Sequence, residues 1–216
     1  MNQELDNKIL DLISYYSEYL DTEEPNFRKQ NAQNKLWIIE NLLDTARLHK
    51  LSDNQYIETF RDIYNHINPT SRNWKKDNSA VLSQRAEFTQ AVIHLNETTH
   101  KHRFDVINDL TGSGSFKIKN LDVGFWTEII RCKFDDIPVV NNRTRQFFSI
   151  IGIDIGKTVE SNIREVGAYY LHWVKLFNEG KKLNLMTLSE MSHLEWYAET
   201  QDVGKFYMIN RFGAKL

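Results

Sequence analysis

The sequence predicts an all-α fold, a single compact domain of several helices, on three observations. Residues that interrupt helices are scarce, because the 216 residues include only three Pro and nine Gly. Apolar residues recur at helical spacing along most of the chain. Two apolar stretches are preceded by a capping box, in which a Ser or Thr is followed three residues later by Gln or Glu. A content of 41% hydrophobic residues is ample for a buried core.

The N-terminal part of the chain, residues 1–97, is predicted to form four helices. Apolar residues share one face of the first helix, and the capping box of Ser52 and Gln55 opens the third. The polar, turn-rich segment 68–79 predicts a loop between the last two. The four helices are expected over about 2–20, 31–49, 52–67 and 80–97.

The C-terminal part, residues 98–216, begins with less helical sequence and then returns to helices. The sequence TGSGS at 111–115 predicts a loop, because Gly and Ser carry little helix propensity. Residues 116–124 predict a short extended or hairpin connector. The capping box of Thr187 and Glu190 opens the last predicted helix. Helices are expected over about 124–134, 141–152, 158–179 and 187–200.

Local signals also predict where the two middle helices of this part begin and end. Pro138 disfavours helical backbone at Ile137, so the helix over 124–134 must stop before it. Asn141 or Asn142 is available as the N-cap of the next helix, and Gly152 as its C-cap.

Cysteine content and apolar patterning predict a cytoplasmic protein. Cys132 is the only cysteine, which excludes an intrachain disulfide and a zinc site built from cysteines. The N-terminal residues 1–16 are acidic and amphipathic, unlike a signal peptide. No run of 18 apolar residues occurs, so we expect no membrane partner.

Charge is distributed unevenly along the chain. The formal net charge is −2, and residues 1–25 hold one Lys against seven Asp and Glu, a balance of −6. The difference leaves +4 on residues 26–216. Such asymmetry can accompany nucleic-acid binding. The alternative is an acidic, solvated first helix on an ordinary helical domain.

Most common catalytic motifs are missing from the sequence, and we expect no metal and no cofactor. His94, His100 and His102 are spaced by six and two residues, which fits neither one helical face nor a zinc pattern, and a solvated helix end is the better interpretation. The sequence contains no nucleophile elbow and no Walker motif, and GSG at 112–114 lacks the third glycine of a dinucleotide site. Cys132 lies in an apolar helical stretch, where a structural thiol is the default.

The segment 118–153 offers a possible phosphate site. A turn ending at Gly124 leads into a helix, whose first backbone N–H groups are a favourable place for a phosphate. Thr127, in the first turn of that helix, could add its hydroxyl.

About 35 of the 216 residues, from Ile118 to Gly152, resemble the helix-hairpin-helix region of the endonuclease III-like DNA glycosylase superfamily. In that family a Leu-x-Gly-Val-Gly-x-x-Thr hairpin precedes a helix, and an apolar residue and a catalytic Asp stand at the head of the next helix. The end of the hairpin is matched by Val123, Gly124 and Thr127, and the head of the next helix by Val140, Asn141 and Arg143. Residues 138–144 are also similar to uncharacterised helical domains of bacterial restriction and defence proteins.

Three positions depart from the family pattern. Asp122 stands at the first hairpin glycine, and Trp126 stands where bifunctional members carry a Schiff-base Lys. Asn141 replaces the catalytic Asp, and an amide cannot stabilise the positive charge that develops on the sugar as a carboxylate does. Asp135 or Asp136 could take that role, since methyladenine-type relatives use an Asp pair between these helices. Alternatively, the two Asp only end a helix and face water.

The resemblance implies a monofunctional DNA glycosylase that excises a damaged or modified base from double-stranded DNA, and the similarity to defence proteins implies a role in phage defence. Such an enzyme needs an aromatic pocket for the extruded base, for which Trp126, Tyr169 and Trp173 are candidates, although aromatics at helical spacing are more often core. Backbone contacts could come from Lys117, Lys119, Arg143 and Arg145, together with Arg72, Lys75 and Lys76. One alternative is a non-catalytic module that reads DNA or an unidentified protein partner in a defence system. Another is a helical scaffold without a nucleic-acid role.

Overall fold

The computed structural model describes residues 2–63, 66–67, 83–111, 114–119, 121–180 and 186–215. All regular secondary structure in these ranges is helical, which confirms the all-α class. The predicted loop at 68–79, with Arg72, Lys75 and Lys76, lies outside the described residues.

Eleven α-helices and one short 3₁₀ helix lie in the described ranges. In chain order they are α1 (Gln3–Thr22), α2 (Phe27–Asn41), α3 (Thr45–Lys50), α4 (Asp53–Asp62), α5 (Arg85–Glu97), the 3₁₀ helix (His100–His102), α6 (Asp105–Thr111), α7 (Val123–Lys133), α8 (Asn142–Ile150), α9 (Val159–Glu179), α10 (Leu188–Thr200) and α11 (Asp202–Phe212).

The chain forms two compact groups of helices, each described separately below. The terminal unit consists of Met1–Phe27 and Asp135–Leu216, and it holds α1 and α8–α11. The central unit, Arg28–Phe134, holds α2 to α7. The predicted division at 97/98 falls inside the central unit.

The core of the terminal unit is built around α1 and α10. Helix α1 packs against α9, α10 and α11, and α10 also packs against α8 and α11. Ile9, Ile13 and Tyr16 lie on the buried face of α1, in keeping with their helical spacing. Gly204 lets α11 approach α10 closely, because a Cβ at this position would meet the backbone of Tyr197.

The core of the central unit is built around α7, which is buried along most of its length. The rings of Phe88 and Trp126 stack at 5.8 Å between centroids, and Phe60 meets Phe88 edge-on at 4.7 Å. At its C-terminal end, α7 is tied to α5 by Lys133. The Lys133 ammonium donates to three carbonyl oxygens at the end of α5, those of Leu95 (2.7 Å), Asn96 (2.6 Å) and Thr98 (2.9 Å).

Most helices lie close to their predicted positions, and both predicted capping boxes are confirmed. The single helix expected over 31–49 is wrong, because the chain forms α2 and α3 there. Asp44 causes the break by capping α3, since its side chain accepts a hydrogen bond from the Arg47 backbone N–H at 3.0 Å. Helices α6 and α11 were not predicted.

Candidate functional site

The predicted phosphate site at the start of α7 is occupied by the protein itself. Asp122 is the N-cap of α7, and its carboxylate accepts a hydrogen bond from the Phe125 backbone N–H at 2.9 Å. Thr127 is fully buried, and its hydroxyl donates back to the Val123 carbonyl at 2.8 Å. Gly124 is buried as well. The helix therefore presents a negative charge where the hypothesis requires phosphate donors.

Two of the three residues proposed for a base pocket belong to hydrophobic cores. Trp126 is fully buried in the central unit, and Trp173 is fully buried in the terminal unit, where its Nε1 donates to Asp6 at 2.9 Å. Tyr169 is half-buried and meets Phe148 edge-on at 5.7 Å. Neither indole has an exposed face on which a base could stack.

Asn141, at the position of the family's catalytic Asp, is the N-cap of α8, as its location in the sequence predicts. Its side-chain oxygen accepts hydrogen bonds from the backbone N–H groups of Arg143 (2.8 Å) and Thr144 (3.2 Å). The Thr144 hydroxyl in turn accepts from the Asn141 backbone N–H at 3.2 Å. Asp135 is exposed and Asp136 half-buried, in the turn between α7 and α8.

The predicted DNA-contacting cations differ in how they are engaged. Lys117 and Lys119 are exposed in the central unit. In the terminal unit, Arg143 forms an ion pair with Glu199 on α10. Arg145, one half-turn further along α8, is exposed and faces a cleft.

This α8–α9 cleft is the larger of two concave features described in the terminal unit. Its cavity volume is about 620 Å³, and it is open to solvent. Its polar side chains are Arg145, Ser149, Asp154, Lys157 and Asn162, and its lining is completed by Gly152, Ile153, Ile155 and Gly156. Neither this cleft nor the smaller groove described below is lined by Asp135, Asp136 or Asn141.

The cleft owes its shape to two glycines. Gly152 has φ +80°, a left-handed conformation that ends α8 and turns the chain away, as predicted for a C-cap. Gly156 is required at the other wall, because a Cβ there would meet the side chains of Ser161 and Glu165. The Gly156 backbone N–H donates to the Glu165 carboxylate at 2.9 Å, which anchors the loop on the first turns of α9.

Three side chains give the cleft its chemistry. Arg145 and Lys157 are exposed, and neither forms an ion pair with any residue that the structure describes. Asn162 is 4% exposed, and no donor among the described residues lies within hydrogen-bonding distance of its Oδ1. A buried amide oxygen of this kind is costly unless a partner satisfies it.

The smaller groove, with a cavity volume of about 20 Å³, lies between α8, α10 and α11 and has Glu195 in its lining. Glu195 is 2% exposed, and its two oxygens meet neutral hydroxyls only. The Tyr170 hydroxyl donates to Oε1, and the Thr144 hydroxyl lies 3.0 Å from Oε2. Burial, which these hydrogen bonds only partly offset, raises the pKa of Glu195 to about 8, so the group is neutral at neutral pH.

A second titratable group, which is half-buried, lies two residues away on α10. His193 stacks between Phe27 (4.1 Å) and Trp196 (4.7 Å), and its Nδ1 is 3.0 Å from the Tyr16 hydroxyl. Burial, helped by the charge of Arg143, lowers the pKa of His193 to about 4.

Two of the three clustered histidines of the central unit lie beside carboxylates. His94 lies 2.8 Å from Asp109, and His102 lies 2.8 Å from Asp105. Among the described residues, no three His, Cys, Asp or Glu side chains are grouped so that they could hold a metal ion. The helices in the described part of the chain are all too short or too polar to cross a membrane.

Comparison with protein-family models, with curated proteins and with solved structures finds no match for this chain. The likeness to the helix-hairpin-helix glycosylases therefore stays a prediction from residues 118–152.

Proposed function

We propose that this protein is a non-catalytic module that binds nucleic acid, with the α8–α9 cleft as a contact site for phosphate. The observation that carries the proposal is the pair of exposed cations, Arg145 and Lys157, on one cleft without ion-pair partners among the described residues. Cations that are not neutralised by the protein are available to replace the counterions of a phosphate backbone.

The charge of the central unit supports nucleic-acid binding separately from the cleft, which lies in the other, acidic unit. The central unit carries 16 Lys and Arg against 12 Asp and Glu, a formal charge of +4, while the remaining residues carry −6. The basic excess is thus confined to Arg28–Phe134, and it could contribute the sequence-independent part of nucleic-acid binding.

Binding is favoured over base excision by what the proposed catalytic groups already do. The side chain of Asn141 holds the first turn of α8, and Asp122 holds the first turn of α7. Trp126 is enclosed in its core. Base excision requires a carboxylate beside a pocket that receives the extruded base.

Titration of a fluorescent 20-base-pair duplex at several salt concentrations tests the proposal. Replacing both Arg145 and Lys157 with Ala should weaken binding at least about tenfold at low salt, and should reduce the slope of log K against log salt by about 2. The matched control is the double replacement of Arg211 and Lys215, an exposed arginine and an exposed lysine of the same unit that lie outside the cleft.

An unchanged affinity in the Arg145 and Lys157 variant would contradict the proposal.

Alkali treatment after incubation with normal and base-modified duplexes reveals abasic sites, and strand breaks there would restore the glycosylase hypothesis. Asp135→Asn and Asp136→Asn then identify the carboxylate.

A further inference from the structure

The side-chain amide of Asn162 is an enclosed donor of the α8–α9 cleft. Asn162 lies in the first turn of α9, lines the cleft and is 4% exposed. Its Oδ1 has essentially no accessible surface, so Nδ2 is the end of the amide that a ligand in the cleft can reach. No acceptor among the described residues lies within hydrogen-bonding distance of that nitrogen. Because an amide nitrogen only donates hydrogen bonds, the matching ligand brings an acceptor oxygen.

Three further donors line the same cleft. Arg145 and Ser149 stand one helical turn apart on α8, so their side chains share the face of the helix that borders the cleft. Lys157 comes from the loop before α9 and is exposed, as Arg145 is. Arg, Lys, Ser and Asn side chains are those that bind phosphate oxygens in complexes with nucleic acids. The donor set therefore fits an anionic group with several oxygens.

We infer that the cleft binds the terminal phosphate of a nucleic-acid strand, with Asn162 Nδ2 donating to one of its oxygens. This inference rests on the proposed function and specifies its ligand. An internal phosphodiester is joined to a sugar on both sides, which keeps its oxygens away from a side chain that is 4% exposed. A terminal phosphate has one covalent neighbour and three free acceptor oxygens, so it can enter the cleft end first.

The charges of the cleft also favour a terminal phosphate. Arg145, Lys157 and Asp154 together give the cleft lining a formal charge of +1. A phosphomonoester carries about −1.5 to −2 at pH 7, whereas an internal phosphodiester carries a single negative charge. Since Coulomb attraction is proportional to the charge of the ligand, the cleft holds the terminal group more strongly. Asp154 weakens this attraction, so its neutralisation should strengthen binding.

The cleft has room for the nucleotide that carries the phosphate. Its cavity volume of about 620 Å³ lies within the roughly 300–1000 Å³ typical of small-molecule pockets. Ile153 and Ile155 are half-buried and supply apolar surface beside the donors. The Gly156 backbone N–H is held by the Glu165 carboxylate, so this wall of the site is formed before the ligand arrives.

The test uses the full chain and a 20-base-pair DNA duplex, fluorescently labelled at an internal base, with 5′-phosphates, with 3′-phosphates or with hydroxyls only at its ends. Excess unlabelled circular plasmid DNA competes for binding to internal phosphates, because it has no strand ends. One phosphorylated form should bind at least about tenfold more tightly than the hydroxyl form, and the preferred form identifies the strand end.

Asn162→Leu removes the donor at nearly constant volume. It should weaken binding of the preferred duplex about tenfold or more, the effect of one hydrogen bond to a charged group. Its affinity for the hydroxyl duplex, measured without plasmid, should stay unchanged. Thermal unfolding is measured for every variant, and Asn162→Ala provides a second substitution if Asn162→Leu unfolds.

Asp154→Asn tests the same cleft with the opposite sign. Asp154 is exposed, so the replacement should leave the fold intact, and the loss of its charge should strengthen binding of the preferred duplex about two- to fivefold. The matched control is Glu18→Gln, which neutralises an exposed carboxylate of the same unit outside the cleft and should leave the affinity unchanged.

Equal affinity of the natural protein for all three duplexes in the presence of plasmid would overturn the inference. Folded Asn162 variants that keep the full preference for a phosphorylated end would overturn it as well. Tighter binding of inorganic phosphate than of the phosphorylated duplex, measured by calorimetry, would assign the cleft to a free anion instead. The proposed function survives each of these results if the Arg145 and Lys157 variant loses affinity for the hydroxyl duplex, and fails if that variant binds it normally.

Discussion

Glu128 in the central unit and Glu195 in the terminal unit are both buried, and the two carboxyl groups have opposite surroundings. In the central unit, Glu128 on α7 is 8% exposed and lies 2.8 Å from the Arg131 guanidinium, which also donates to Asn31. In the terminal unit, Glu195 on α10 is 2% exposed and meets only the hydroxyls of Tyr170 and Thr144.

The partners decide the charge state in each unit. Burial by itself lowers the pKa of Arg131, because it disfavours the charged form. The nearby Glu128 carboxylate stabilises that charge more strongly, so the pKa of Arg131 is raised. This pair therefore remains an ion pair. Around Glu195 the two hydrogen bonds and the charge of Arg143 only partly offset burial, and the group is kept neutral. A buried carboxyl is thus tolerated either by charge compensation or by protonation, and only the second makes stability depend on pH near neutrality.

The largest effect is expected when the compensated pair is broken. Arg131→Met keeps the length of the side chain but leaves Glu128 without its cation. We expect a loss of about 2–3 kcal/mol in the free energy of unfolding. Breaking a fully buried pair costs about 3–5 kcal/mol, and the loss here is smaller because both groups are partly exposed. Urea denaturation at pH 7 measures the change.

The control for this prediction is Arg131→Met combined with Glu128→Gln. Removing both charges should recover most of the loss, since no uncompensated charge is then buried. A single variant as stable as the natural protein would mean that the ion pair contributes nothing.

The second effect concerns the protonated carboxyl. The folded pKa of Glu195 is about 8 and the unfolded pKa is that of an ordinary Glu, so the folded state holds the extra proton between them. Its stabilising contribution is therefore complete below the unfolded pKa and is lost as the pH rises through 8. Stability should fall by up to about 1.4 kcal/mol per pH unit as the pH approaches 8.

The effect of Glu195 on the free energy of unfolding is best measured above pH 6.5. The lowered pKa of His193, about 4, means that stability is lost as the pH falls from the unfolded value of 6.5 toward 4, which opposes the Glu195 effect in that range. Urea denaturation from pH 6.5 to 8.5 isolates Glu195. Glu195→Gln should remove the slope in this window, and a slope equal to that of the natural protein would refute the assignment.

The smallest effect concerns the cap beside Thr144, the hydroxyl partner of Glu195. Asn141→Ala removes the acceptor for two backbone N–H groups of α8 and should cost about 1 kcal/mol. Asn141→Asp should retain most of the stability, because Asp caps helices as well as Asn does. Thermal unfolding gives the melting temperature of each variant. An Asn141→Ala variant that melts at the same temperature as the natural protein would contradict a capping role.

Features set by neighbouring residues could be predicted from the sequence. The capping boxes at Ser52 and Thr187, the N-cap at Asn141 and the turn at Gly152 depend on side chains within a few residues of one another. The break between α2 and α3 also has a local cause, the cap at Asp44. It was not predicted because apolar residues continue at helical spacing across it.

Features that depend on distant residues could not be predicted. Helical spacing left Trp126 and Trp173 open between a core role and a base pocket, and only the packing of each unit shows that both are core residues. Glu195 stands on an apolar face of α10 with Met191 and Ala198, a signal that could have identified it as buried. Its partners could not be found in this way, because Thr144 and Tyr170 are 51 and 25 residues away.

The anchoring of Lys133 has a consequence for proteolysis. The Lys133–Phe134 bond stands one residue before the second of the two points at which the chain passes from one unit to the other. Trypsin must take the lysine side chain into its specificity pocket, but this ammonium is held by three carbonyl oxygens at the end of α5. Limited digestion of the folded chain should therefore spare this bond and cut first at exposed sites such as Lys101 or Lys157.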